Sequence, residues 1–255
     1  MSDSTVDTKT EPLSVHVNAD ARQVWVMLRD PSLVAQWHGW EAEGLEDEVR
    51  QIYFTNATEA ADHKSLDLGG RYTFTLEPVG DGTVLTVAPG SEGGQEPDED
   101  VLEGWQTFVQ QLRFALERHP NAKRQTTYFA DDSAPSGGVL RNLGLDSLPA
   151  PGEDYEATLS TGVTVAGKVW FRSAHQVGLT VHSYADHGDG LLIVADLPRT
   201  RARPDGGTRL LVTTYGLGAR ALAELRSHWD GWRRRHFPSS APLVAGNAAG
   251  PVTGS

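Results

Sequence analysis

Glu103-Gly104-Trp105-Gln106-Thr107-Phe108-Val109-Gln110-Gln111-Leu112-Arg113-Phe114-Ala115-Leu116, set within Asp98 to His119, is the stretch on which the fold turns. Val101, Trp105, Phe108, Leu112 and Leu116 recur at helical spacing with Val109 beside them, which predicts a helix carrying one large apolar stripe. Asp98, Glu99 and Asp100 stand where the positive end of the helix dipole favours acids, and Asn121, after Pro120, marks a stop. Such a helix needs a concave apolar partner. Whether the strands before it close on the stripe completely or leave a cavity decides between a filled core and a container. Phe114 lies about 180° around the helix from Trp105, on a face that would otherwise be solvated, and so asks for cover from elsewhere in the chain or from a partner subunit.

Upstream, the clearest strand is Arg71 to Leu76, where Tyr72, Phe74 and Leu76 face one way and Arg71, Thr73 and Thr75 the other. Gly69-Gly70 turns into it, and Asp81-Gly82 joins it as a hairpin to Thr83 to Val87. Val49 to Phe54 and Ser65 to Leu68 read as further strands, separated by a polar connection across Asn56 to His63. Earlier still, Leu13, Val15 and Val17 alternate with polar residues as a strand, and Asn18 or Asp20 can cap a helix carrying Ala21, Val24, Trp25 and Leu28. Asp30-Pro31 ends that helix and admits a short one over Ser32 to Gln36, followed by Trp37-His38-Gly39-Trp40.

Downstream, Lys168 to Arg172, His175 to His182, Gly190 to Asp196 and Arg209 to Tyr215 read as strands, and Leu222, Leu225, Trp229 and Trp232 form the stripe of a final helix. Sheet followed by helix thus recurs, as a degenerate repeat whose opening strand has no clear counterpart and whose opening helix is reduced to a short one over Gly138 to Leu145. The expected organisation is a polar leader over 1–11, one unit over 12–122, a second partial unit over 123–237 and a disordered tail over 238–255.

A formal charge of −12 and an isoelectric point near 5.1 argue against nucleic acid or an anionic membrane as partner, because both demand a basic surface. With no cysteine, thiolate chemistry and disulfides are excluded. Neither a secretory leader nor a run of about 18 apolar residues is present. These features together give the expectation of a soluble cytoplasmic protein.

Asp30-Pro31-Ser32-Leu33-Val34-Ala35-Gln36-Trp37, Gly69-Gly70-Arg71-Tyr72-Thr73-Phe74, Gly82-Thr83-Val84-Leu85-Thr86-Val87 and Glu103-Gly104-Trp105 follow one another in an order and spacing that resembles the SRPBCC superfamily. The branch it resembles most is the activator of heat-shock-protein-90 ATPase homologue family, among the START and birch-pollen-allergen relatives. The resemblance covers roughly residues 12 to 119 and weakens after about Thr126. It implies an α+β helix-grip fold, an antiparallel sheet curled around a long C-terminal helix, with an apolar cavity between them. It further implies a container for a hydrophobic or amphipathic small molecule. The alternatives are an enzyme of the cyclase, hydratase or lyase kind using the same cavity, and an interaction module for a chaperone or a second copy of the chain.

Trp37, Trp40, Tyr53, Phe74, Trp105, Phe108 and Leu112 are the candidate ligand-lining residues, and a packed core is the alternative reading for the same side chains. Arg113, about 80° from Trp105, is placed either to meet a ligand's polar end or to snorkel at the surface. His38 and His63 are candidates for acid or base work near a cavity mouth, with a structural role as the alternative. No catalytic residue is assigned, and no metal or cofactor is expected. Gly216-Leu217-Gly218-Ala219-Arg220-Ala221 matches the dinucleotide fingerprint between a strand and a helix, yet no acid-bearing parallel strand follows. His175 and His182, seven apart on one predicted strand, face opposite sides and make no shared metal shell.

Overall fold

Asp20 opens the first helix by exchanging hydrogen bonds with Gln23: its carboxylate accepts from the Gln23 backbone N at 2.8 Å, and the Gln23 Oε1 accepts from the Asp20 N at 3.2 Å. That capping box joins β1 (Leu13–Val17) to α1 (Ala21–Arg29) and contributes about 1 kcal/mol. Asp30 both ends α1 and caps α2 (Pro31–Val34), accepting from the backbone N of Ser32 and Leu33. The computed structural model describes residues 12–90, 99–201 and 203–243, with backbone alone for 99 and 100. The leader 1–11, Asp98 and the side chains of Glu99 and Asp100 lie outside the described residues.

The expected strand over Val49 to Phe54 is corrected. The segment is α3 (Leu45–Arg50) followed by a π-helical turn over Gln51–Thr55. Leu45, Val49, Ile52 and Tyr53 stand at intervals of three and four, which is helical spacing, and Val49 and Tyr53 are the ones buried. A short run, β2 (Ala57–Glu59), pairs inside what reads in the sequence as a polar connection.

With β3 (Ser65–Leu68), β4 (Tyr72–Val79) and β5 (Gly82–Pro89), these strands make a five-stranded antiparallel sheet in the order β1-β5-β4-β3-β2. The long helix α4 (Glu99–Arg118) follows. Then come β6 (Arg124–Asp131), α5 (Val139–Leu143), β7 (Asp154–Thr158), β8 (Thr164–Arg172), β9 (Gln176–Val181), β10 (Gly190–Leu197), β11 (Gly207–Tyr215) and α6 (Ala219–His236). Their strands form a six-stranded antiparallel sheet in the order β6-β11-β10-β9-β8-β7. In both sheets the first strand of the set lies beside the last. β6 is the opening strand that the sequence conceals.

The central strands of the second sheet, β9, β10 and β11, are buried on both faces. Tyr128, Leu191, Ile193, Leu211 and Tyr215 belong to the core around α4, whereas their neighbours Phe129, Leu192, Val194, Leu210 and Val212 belong to the core under α6, with Trp229 and Trp232. Strand alternation therefore sends one set of side chains into each core. A register shift between Val169 and Phe171 puts Trp170 and Phe171 both into the α4 core. The molecule is layered: first sheet, α4, second sheet, α6.

Helix α4 is accordingly covered all round in its middle. Trp105, Val109 and Leu112 are buried on one side, and Phe114, Gln110 and Gln111 on the other, where Phe114 finds the cover its position calls for. Gln111 is accommodated by hydrogen bonds: its Nε2 donates to the Gly39 carbonyl at 3.0 Å, and its Oε1 accepts from Arg124 Nη1 at 2.6 Å and Thr213 Oγ1 at 3.3 Å. Of the expected tail, Ser240 and Leu243 are held against the protein, the Ser240 carbonyl accepting from Arg233 Nη1 at 3.0 Å and Leu243 packing on the α6 core. The remainder of the tail falls outside the described residues. No helix among the described residues is long and apolar enough to cross a membrane.

Candidate functional site

The space between α4 and the first sheet is filled by rings. Trp105 meets Phe74 edge-on at 5.2 Å between centroids and Phe108 at 5.9 Å, while Tyr53 meets Trp37 at 5.4 Å. Trp37, Tyr53, Phe74 and Leu112 show no exposed surface. The cavity expected there is occupied by the very side chains proposed to line it.

Open space lies on the other side of the helix. A cleft of about 130 Å³ separates the first half of α4 from the second sheet. Glu103, Gly104, Thr107 and Phe108 form its helix wall, Ile193, Ala195, Leu197 and Leu211 its sheet wall, and Trp40 and Tyr128 stack at 3.5 Å with 7° between their planes at its edge. Arg203, Arg209 and Gln176 complete the lining. Gly104 explains why there is room. It sits inside a helix, where glycine is about 1 kcal/mol worse than alanine, and a methyl group added to it would meet no atom within 4 Å.

The polar lining is organised by α4 and β9. Gln176 Nε2 donates to both the carbonyl and the carboxylate of Glu103 at 2.5 Å, and Thr107 Oγ1 donates to Gln176 Oε1 at 2.7 Å. On the facing wall, Arg209 Nη1 donates to the carbonyls of Asp131 (2.8 Å) and Thr208 (3.0 Å), and Nη2 to the Asp132 carboxylate at 2.8 Å.

Behind Phe108, whose ring centroid is 4.7 Å from that of His38, lies a buried polar chain. His38 Nδ1 is 3.0 Å from the Tyr53 hydroxyl and Nε2 is 3.4 Å from Glu48 Oε1. A carboxylate only accepts, so Nε2 carries the proton and Nδ1 accepts from the phenol. Burial pushes the His38 imidazole below its ordinary range and the Tyr53 phenol well above its own, so both are neutral at pH 7.

Of the residues proposed from sequence, Trp40 and Phe108 line the cleft, while Trp37, Tyr53, Phe74, Trp105 and Leu112 lie in the filled core. Arg113 is at neither place: its guanidinium lies 4.2 Å over the Trp170 ring and pairs with Glu117 at 3.0 Å. His63 is exposed in a turn beside Trp25. The sheet wall was missed because its residues are far away in the chain; the interior glycine at 104 was the available signal. Gly216 to Ala221 joins β11 to α6, after which no strand follows among the described residues. His182 pairs with Asp189 and His187 with Asp186, and no group of three or more metal-ligating side chains occurs among the described residues.

No protein-family model matches the chain, and no curated protein matches it. Two solved structures are similar over most of their length. One is DynU16, a protein of the dynemicin biosynthetic locus, at 18% identity over 86% of this chain and 92% of that one, with a TM-score of 0.31. The other is the di-domain ARO/CYC StfQ from the steffimycin biosynthetic pathway, at 13% identity over 90% and 93%, also with a TM-score of 0.31. Superposition that loose leaves both as likenesses alone.

Proposed function

We propose that the chain binds a small, largely apolar molecule, about the size of one aromatic ring, in the cleft between α4 and the second sheet. The observation that carries this is Gly104, a helix-interior glycine on the cleft wall whose added methyl group would meet no atom within 4 Å. A cavity of about 150 Å³ holds benzene, so the cleft volume sets the scale of the ligand. Titration of the full chain with toluene, followed by tryptophan emission and methyl NMR shifts, should show a saturable response that Gly104→Leu abolishes without lowering the unfolding temperature. An unresponsive wild type, or an equal response in the variant, would overturn the reading.

The shared strand-order rule and the long helix closing each set support reading the chain as two helix-grip units in tandem, over 12–122 and 123–237. On that reading the ligand site lies between the units. The enzymatic alternative has one observation in its favour, the neutral Tyr53–His38 pair one ring behind the cleft wall. It requires turnover of a bound ligand that disappears in His38→Gln while binding persists.

A further inference from the structure

The cleft holds basic side chains although the protein carries −12 overall: Arg203 and Arg209 line it together with Glu103 of the helix wall. Glu103 is turned to β9, where Gln176 and Ser173 donate to it.

Arg209 is held in place before any ligand arrives. Two backbone carbonyls fix Nη1, so its planar fork is oriented at no further entropic cost. Its acid partner among the described residues is Asp132, whose side chain is 80% exposed. An ion pair with one partner so exposed contributes little, and a competing carboxylate inside the cleft displaces it readily.

Resting on the cleft reading above, we infer that the ligand is a monocyclic aromatic carboxylate, its ring between the apolar walls and its carboxylate on Arg209. The volume admits one ring, the walls are apolar, and the Nε–Nη2 edge of Arg209, which the backbone carbonyls on Nη1 leave over, matches a carboxylate in two-point geometry. A charge-assisted bond of this kind sets the expected preference over an uncharged ring of the same size at about tenfold.

The experiment compares benzoate with toluene on the full chain at pH 7, by calorimetry and tryptophan emission. Benzoate should bind about tenfold more tightly than toluene, and Arg209→Gln should remove that advantage. Asp132→Asn, which removes the negative charge competing for Arg209 at a residue outside the cleft lining, should tighten benzoate and leave toluene alone; this arm stands even if Arg209→Gln fails to fold. Toluene binding with no preference for benzoate, or a preference indifferent to Asp132→Asn, would overturn the carboxylate assignment and keep the cleft. If neither compound binds, the cleft reading itself falls.

Discussion

Phe114 meets Trp170 edge-on, with ring centroids 5.2 Å apart and planes at 88°, and so seats the far side of the long helix on the second sheet. Tyr215 and His119 close over the same ring at 6.0 and 5.6 Å. Because Phe114 has no exposed surface, Phe114→Ala should cost about 3 to 5 kcal/mol, read from the urea midpoint at unchanged slope. Truncation after Lys123 should bare this face and reduce solubility.

Gly104→Ala should raise stability by about 1 kcal/mol, since it gains helix propensity and the added methyl group meets nothing within 4 Å. Chemical denaturation is the measurement. A loss of stability would mean that the cleft is narrower than described.

Arg124 is wholly buried at the joint between the halves, with Nη1 donating to the Gly39 carbonyl at 3.1 Å and Nη2 to that of His38 at 2.5 Å. Burial brings its guanidinium down to about 10, so it stays charged at neutral pH. Arg124→Met should destabilise by at least about 2 kcal/mol, because both carbonyls and Gln111 Oε1 lose a donor inside the core. Lysine should not restore the loss, having a single ammonium where the fork reaches several acceptors.

Acid should weaken the fold through His38. Its folded value lies below the ordinary 6.5, so the unfolded chain takes up the proton first, and stability present above about pH 6.5 is lost as pH falls through and below that value. The partly buried His119 acts in the same direction, while Asp196, raised by burial, acts oppositely at lower pH. Thermal unfolding between pH 7.5 and 5 should fall less steeply for His38→Gln than for the wild type.

The long helix, its large stripe and the need to cover Phe114 were all legible in the sequence, because each rests on local periodicity. Most of the second-sheet strands were legible for the same reason. β6 was not: Arg124, Thr126 and Thr127 are buried polar residues there, and polar burial carries no hydropathy signal. Val49 to Phe54 misled because a short apolar run fits strand and helix alike until Leu45 is counted with it. The aromatic residues chosen as a ligand lining are large and inward-facing, and those same properties make them good filling. The cleft depends on Ile193, Ala195, Leu197 and Leu211, which reach Gly104 only through the packing of one half on the other.

The two-faced burial of the second sheet also fixes an order of events during synthesis. Helix α4 leaves the ribosome complete, but the strands that cover its Phe114 side, ending at Tyr215, are still to be made. At 5 to 20 residues per second that delay is about 5 to 20 s. For that interval the nascent chain has nothing of its own to set against the apolar flank at Phe114, which the finished protein hides.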